Sequence, residues 1–367
     1  MKAFVLAEPG KTKWYNAPEP ILTRDGALLS PVAVAPCTSD VHTVYGGGSK
    51  KSPNLILGHE CVAQVIDVGE DVHDFQKGDF VAVPAITPNW KHPDIQDTNF
   101  RHAGEHFSGH QLGKSIPGVF AELFHVPCAD MNLAKIPKGI SIEAALMCVD
   151  VVTTGFTGVE AAEVEFGDSV CVFGIGAIGL AAIMGARQKG AGRILAVGSR
   201  KICVDMAQEL GATDIVDYHT GDVTKTILDL TNQQGVDSVI IAGGNDDVFT
   251  QAVDIVKYGV GNIGNINYYG GTGSLEFPKF SGGRGMAGKT IRTELAKGGR
   301  RRIERILSMV EYNRIHPEKF VTHELNGLEN VETALEMMRK KQSDLIKVMV
   351  VTNPEFVKSW RSTNEKN

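Results

Sequence analysis

The sequence predicts an α/β protein of two domains, one β-rich and one built on a doubly wound parallel sheet. Three observations carry that prediction. The chain has 367 residues, more than a single hydrophobic core usually organises. Its patterning changes near residue 151, from closely spaced strand-like runs to a regular alternation of strand and helix. Residues 166–200, FGDSVCVFGIGAIGLAAIMGARQKGAGRILAVGSR, join a short apolar run to the spacing G-x-G-x-x-G and then to a helical pattern. Composition narrows the field further. Hydrophobic residues at 43% and 41 glycines suit an enzyme rich in tight turns, and a net charge of −6 offers no broad basic field for nucleic acid. No apolar run of spanning length stands out, and MKAFVLAEPGK has too short an apolar segment for a secretory signal. The expectation is a soluble, cytoplasmic protein with neither a membrane nor a nucleic-acid partner.

In the first 150 residues, runs at 2–7, 26–34, 61–68, 80–83 and 118–126 are divided by Gly, Pro and Asp turns, as in antiparallel sheets. Residues 85–115 are polar and rich in His and Asn, which reads as a long irregular loop. His102, His106 and His110 recur there at helical spacing, but Gly104 and Gly109 argue against a continuous helix and so against a metal motif. Six cysteines (Cys37, Cys61, Cys128, Cys148, Cys171 and Cys203) lack C-x-x-C spacing, and most sit among apolar neighbours as small core residues. Cys37 differs, lying between Pro36 and the polar run Thr38, Ser39, Asp40.

From residue 169 the alternation is strand 169–173, helix 178–188, strand 193–197, helix 202–210, strand 214–217, helix 223–231, strand 237–242, helix 247–256 and strand 262–267. That order builds a doubly wound sheet. In its first turn Gly174 suits a sharp bend, Gly176 lets backbone approach a pyrophosphate, and Gly179 lets helix lie close on strand; free N–H groups at the helix start face the phosphates. At the end of the second strand, where an NAD site usually has Asp or Glu, the chain reads Gly198, Ser199, Arg200, Lys201. A guanidinium, an ammonium and a hydroxyl there favour a 2'-phosphate, hence NADP. Helices at 304–314 and 330–341 and a strand at 345–351 are expected to return to the first domain. The domains are then 1–150 with 296–367, and 151–295, with an active site in the cleft between them. The polar tail from Asn353 is expected to be loosely attached.

Cys37, His59 and Asp150 can be read as one metal site. Each sits in a turn-like or strand-end context, and a thiolate, an imidazole and a carboxylate suit Zn(II) with a position left open. Glu60 is then either a fourth ligand or a carboxylate behind the ligands. From spacing alone, His59 and Asp150 are equally readable as hydrogen-bonded polar residues.

Five segments in order carry a resemblance: APCTSDVHTV from Ala35 to Val44, G-H-E at Gly58 to Glu60, VPAITP from Val83 to Pro88, DVVTTGF from Asp150 to Phe156, and GIGAIG at 174–179, which includes Ala177 and Ile178. Over roughly residues 1–351 the chain resembles the zinc-dependent medium-chain alcohol dehydrogenases, most closely their NADP-dependent secondary alcohol branch. The resemblance implies a GroES-like catalytic domain joined to a Rossmann cofactor domain. It implies hydride transfer between NADP(H) and a secondary alcohol, ketone or aldehyde, and a homotetramer. Cys37, His59 and Asp150 would bind one catalytic zinc per subunit, with Glu60 coordinating or departing during turnover. Many relatives have a second cysteine where Asp150 stands, and many carry four clustered cysteines near residues 90–115; this chain has none there, which implies no structural zinc. Ser39 would take the alcohol proton and His42 carry it outward. Gly198, Ser199, Arg200 and Tyr218 match the NADP-binding turn and phosphate contact, Lys341 is a further phosphate contact, and Asn267 lies beside the nicotinamide. Ala85, His110 and Leu295 would line the substrate pocket. A polyol or sugar dehydrogenase of the same superfamily, and a zinc-free nucleotide-binding protein, are the alternatives.

Overall fold

Two long strands, Ala27–Ala35 and Glu60–Val68, pair antiparallel and set the frame around which the first part of the molecule is assembled. The structure is a computed structural model and describes residues 1–46, 54–270 and 273–364. It divides into two compact units, Met1–Thr153 with Lys297–Asn367, and Thr154–Ala296.

In the first unit a seven-stranded sheet runs in the order Val321–Asn326, Lys347–Val351, Ala27–Ala35, Glu60–Val68, Phe80–Val83 and Ala134–Lys135, with Phe124–Val126 also pairing with Ala27–Ala35. The strand Ala27–Ala35 is central and nearly all buried. Its Pro31 cannot donate to a ladder, and the register slips between Pro31 and Ala33. Lys2–Glu8 forms a separate antiparallel sheet with Lys11–Asn16 and Leu55–Ile56. Phe4, Leu29, Leu57, Phe120, Phe124 and Leu133 fill the core between them. Each such side chain contributes about 1.5–3 kcal/mol on burial.

Three pairings prepare the site. Ala35 is opposite Glu60, so the chain leaving the first strand at Pro36 and Cys37 meets the chain entering the second at His59. On the other side Val350 is opposite Val34, and continuing that antiparallel register brings Lys347 across from Cys37. The third contributor is a helix. Ser141 caps Ile142–Met147, its Oγ accepting from the Ala144 N–H at 3.1 Å, and the helix continues through a π-helical turn, Cys148–Val152, into Thr153–Ala161. Asp150 therefore stands inside a helix, not at a turn or strand end as its sequence context suggested.

The second unit is a six-stranded, all-parallel sheet in the order Asp214–Val216, Arg193–Val197, Ser169–Phe173, Ser238–Ile241, Asn262–Asn265 and Thr290–Thr293. The order turns back beside Ser169–Phe173, the doubly wound arrangement the alternation of elements predicts. Thr290–Thr293 is a sixth strand that the sequence did not announce, since it has only four residues and none is fully buried.

Other departures have local causes. Helix Arg300–Glu311 begins and ends earlier than expected: Gly299 caps it, Arg300 pairs with Glu304 one turn on, and Asn313 turns left-handed at φ 52°. Between 118 and 126 only Phe124–Val126 is strand; Gly118 and Phe120 instead donate to the Ile56 and Leu57 carbonyls. Ile142–Ala161 is long and apolar enough to cross a membrane, contrary to expectation, but 89% of its most apolar window is buried inside the structure, as in a core helix. The polar tail is not loose. It forms helix Pro354–Asn364, in which Phe356 stacks on Phe80 at 4.0 Å and Trp360 Nε1 donates to the Ile140 carbonyl at 3.0 Å. Arg361 completes this attachment by bridging Glu143 and Glu324.

Candidate active site

Cys37, His59, Glu60 and Asp150 bring one sulfur, one ring nitrogen and two carboxylate oxygens within 4.8 Å of one another. Cys37 Sγ is 3.5 Å from Asp150 Oδ2, and His59 Nε2 is 3.8 Å from the same oxygen. The backbone is built to hold them. Cys37 caps the helix Thr38–Tyr45, and Asp40, at the third helical position, accepts the Cys37 N–H at 2.9 Å and the Gly58 N–H at 3.3 Å. Asp40 thus fastens the turns carrying Cys37 and His59 with one carboxylate. Gly58 has φ 89°, and a Cβ there would lie 2.4 Å from the Phe120 ring, so no other residue fits before His59. Asp150 lies in the π-helical turn, a distortion frequent at functional sites.

The charges do not balance within the protein. Burial pushes the Cys37 thiol up, and the Asp150 carboxylate pushes it further, although Lys347 pulls it back. Burial also drives Glu60 well above the usual carboxylate range. Burial alone would keep His59 neutral, but Asp40, Asp150 and Glu60 together raise its pKa. Two buried polar atoms, His59 Nδ1 and Glu60 Oε2, have no hydrogen-bond partner; Nδ1 faces Asp40 Oδ1 at 3.4 Å in poor alignment. Three acidic donors and an imidazole in a closed site are the chemistry of a divalent-cation site, in which Asp40 behind His59 orients the ring.

Sequence reasoning missed Lys347. Its Nζ donates to Glu60 Oε1 at 2.6 Å, and the two side chains are 2% and 0% exposed. A signal was present: one lysine inside the apolar run LIKVMVV demands a buried partner. Asp40 was missed as well, although an acid three residues after Cys37 is a capping signature.

Ser39 Oγ is 3.1 Å from His59 Nε2, and His42 follows three residues later on the same helix, exposed to solvent. Partial burial lowers the His42 pKa, and the ammonium groups of Lys341 and Lys114 lower it further. Lys341, expected at the nucleotide phosphate, ends helix Val331–Lys340 in the first unit with its charge bearing on His42. Two of the residues expected to line a pocket adjoin the cluster. The His110 ring meets the His59 ring edge-on, centroids 4.6 Å apart, and the Ala85 N–H donates to the carbonyl of Val149, next to Asp150, at 3.0 Å. His102 goes elsewhere, its Nδ1 accepting from the Phe107 N–H at 3.1 Å.

In the second unit the other expected residues collect at the carboxyl ends of parallel strands, where such sheets bind ligands. Gly174 follows Ser169–Phe173, Gly198 to Arg200 follow Arg193–Val197, Tyr218 follows Asp214–Val216, Asn267 follows Asn262–Asn265 and Leu295 follows Thr290–Thr293. Gly176 caps helix Ala177–Gln188, which carries Ile178 in its first turn, and a Cβ on Gly176 would meet nothing within 4 Å, leaving that face open to a phosphate. At Gly179 a Cβ would lie 2.0 Å from the Gly174 carbonyl oxygen. Arg200 caps helix Lys201–Leu210, while Lys201 turns to Asp205 at 2.7 Å. Tyr218 is 53% exposed, and the Asn267 amide nitrogen is buried without a hydrogen-bond partner.

A zinc-binding dehydrogenase family model matches residues 177–294, and an alcohol dehydrogenase GroES-like domain model matches residues 23–138. The chain is 48% identical over 351 residues to the NADP-dependent isopropanol dehydrogenase of Thermoanaerobacter brockii, covering 96% of this chain and 99% of that protein. It is 45% identical over 350 residues to the enzyme of the same name from Entamoeba histolytica, covering 95% of each. Among solved structures, zinc dependent alcohol dehydrogenase 2 from Streptococcus pneumonia matches with a TM-score of 0.86 at 28% identity, over 96% of this chain and 99% of that one. Alcohol dehydrogenase TADH from Thermus sp. ATN1 matches at 0.82 and 29%, with the same coverage.

Proposed function

Because the chain belongs to the zinc-dependent medium-chain alcohol dehydrogenase family, we propose that it transfers a hydride between NADP(H) and a secondary alcohol or ketone at one catalytic zinc per subunit. The observation that carries this reading is the convergence of the Cys37, His59, Glu60 and Asp150 donor atoms within 4.8 Å. Sulfur, nitrogen and oxygen donors together suit Zn(II), and the excess of buried acidic groups calls for a cation. Cys37, His59 and Asp150 would hold the metal; Glu60, tethered to Lys347, would complete the set or yield its place to substrate. When bound, zinc polarises the substrate oxygen as a Lewis acid and NADP(H) accepts or gives the hydride.

The protein's own part is the proton. With His59 Nε2 engaged as a ligand, the Ser39 hydroxyl loses its partner at 3.1 Å and becomes available to the alcohol proton. His42 lies one turn along the helix toward solvent, and its lowered pKa keeps it neutral, able to accept that proton near pH 7. Lys341 acts in this reading on His42. Ser199 and Arg200, in a turn without a carboxylate, support recognition of the 2'-phosphate, and both relatives cited above are named NADP-dependent.

The test is the initial rate of propan-2-ol oxidation with NADP and with NAD, before and after prolonged chelation. NADP-selective turnover that is lost on chelation and restored by zinc is expected. Turnover unaffected by chelation would remove the metal from the mechanism, and turnover with NAD alone would overturn the cofactor assignment.

A further inference from the structure

We propose that Arg302 is a positioning residue for the metal, acting through Thr153 on the π-helical turn that carries Asp150. This rests on the zinc reading given above and adds to it a residue outside the donor set. A π-helical turn holds one residue more than the α-helix around it, and it is kept where neighbouring groups take up the backbone it displaces. Here such groups come from outside the helix on both flanks of Asp150. The Ala85 N–H donates to the Val149 carbonyl at 3.0 Å. Beyond Asp150, the side chain of Arg302, from helix Arg300–Glu311, donates from Nε to Thr153 Oγ1 at 3.0 Å and from Nη2 to the Thr153 carbonyl at 3.3 Å.

The hydroxyl of Thr153 shows what Arg302 does. Thr153 is buried, and a threonine inside a helix commonly turns its hydroxyl back onto the carbonyl four residues earlier, which here belongs to Val149. Thr153 Oγ1 instead donates to the Lys297 carbonyl at 2.6 Å and offers a lone pair to Arg302. The segment carrying Lys297 is fixed in turn: the Gly299 N–H donates to the Ile86 carbonyl at 3.1 Å, and a Cβ on Gly298 would lie 2.2 Å from that same oxygen. Ala85 and Ile86 are neighbours, so the contacts close a ring from Val149 through Ala85, Ile86, Gly299 and Arg302 to Thr153. Asp150 sits within the arc of helix that completes this ring. Its Oδ2 is 3.5 Å from Cys37 Sγ and 3.8 Å from His59 Nε2, and a single methylene joins that carboxylate to the backbone. Any shift of the turn therefore passes to the ligand oxygen almost undamped. Removing the Arg302 donors frees the Thr153 hydroxyl to bond back to Val149 and lets the turn relax, carrying Asp150 with it. Cys37 and His59, held by Asp40, stay in place.

The experiment measures zinc affinity by competition with a chromophoric chelator, together with the absorption spectrum of the cobalt(II)-loaded protein. It compares the wild type with Arg302→Met, which keeps most of the stem and loses the donors, and with Thr153→Val and Thr153→Ser. Zinc affinity should fall roughly 10–100-fold in Arg302→Met and in Thr153→Val, the usual cost of removing a group that orients a ligand. Thr153→Ser, which keeps the hydroxyl, should bind zinc nearly as the wild type does. In the cobalt protein the thiolate charge-transfer band from Cys37 should persist, while the d–d bands, which report the whole donor set, should change. A merely structural role would lower the melting temperature and leave metal binding as it was, so unchanged zinc affinity or unchanged d–d bands in Arg302→Met overturns the inference. Should Arg302→Met fail to fold, Thr153→Val against Thr153→Ser decides, and equal zinc affinities overturn it. A wild type that binds neither zinc nor cobalt overturns the metal reading itself.

Discussion

Replacing Lys347 with Met should destabilise the metal-free protein by about 3–5 kcal/mol. Lys347 Nζ sits 2.6 Å from Glu60 Oε1, with the side chains 2% and 0% exposed. Methionine keeps most of the buried stem, so packing changes little and the loss comes from the Glu60 carboxylate left without its cation in a site closed to water. The reverse substitution tests the account: adding Glu60→Gln to Lys347→Met removes the stranded charge and should recover most of the loss, since exchanging a whole buried pair for neutral groups is often near neutral. The assay is urea unfolding in the presence of chelator, followed by tryptophan fluorescence. All three tryptophans, Trp14, Trp90 and Trp360, belong to the unit that holds the pair, so the signal reports on that unit alone. A loss below about 1 kcal/mol, or a double variant no more stable than the single, would refute the reasoning.

Arg200→Ala should weaken NADP roughly 10–100-fold while leaving NAD nearly unchanged, as measured by cofactor titration; equal losses would remove the guanidinium from the 2'-phosphate. Gly176→Ala and Gly179→Ala should separate binding from folding. Gly176→Ala meets no atom within 4 Å and should keep its melting temperature while losing NADP affinity, whereas Gly179→Ala forces a Cβ to 2.0 Å from a backbone oxygen and should lower the melting temperature itself. The acid limb of stability should contain a small contribution from Asp25, whose carboxyl is held at about 2 against 3.8 by its hydrogen bond to Lys91. A depressed carboxylate stabilises above its unfolded pKa and loses that stabilisation as pH falls through its folded one. Asp25→Asn should therefore flatten the pH dependence between 3.8 and about 2, by no more than about 1 kcal/mol because the Lys91 side chain is 69% exposed and solvent screens the pair.

How legible each feature was in the sequence depended on how locally it is determined. The Gly174 to Gly179 turn can be read directly because strand, bend and helix are contiguous, and each glycine has its own steric reason. The donor cluster was readable from residue chemistry only as one of two alternatives, and the family resemblance decided between them, since the encounter of Cys37 with His59 is set by strand register and that of Asp150 by a helix entering from elsewhere in the unit. The apolar run around Lys347 signalled a buried partner but not which one, because its place opposite Cys37 follows from the register of another strand of that sheet. Residues 142–161 were not recognised as a helix because they are apolar on every side and β-branched near Asp150, which erases the stripe that periodicity detects. Lys11–Asn16 and Val321–Asn326 are half-exposed edge strands with little alternation. The tail looked loose from its polar composition, but Phe356 and Trp360, four residues apart on one helical face, anchor it to Phe80.

The π-helical turn at Cys148–Val152 has a consequence for how this gene region can vary. Such a turn is equivalent to one supernumerary residue spliced into an α-helix, so Ile142–Met147 and Thr153–Ala161 are out of phase by about 100°. Removing a residue between Ser141 and Asp150 would let the helix heal into continuous α geometry, rotating Asp150 away from Cys37 and His59 even with all four donors retained. Substitutions along the helix are judged one side chain at a time, whereas a change in its length resets the phase of everything downstream. Length, more than composition, is the inherited property on which the placement of Asp150 beside Cys37 depends in this stretch.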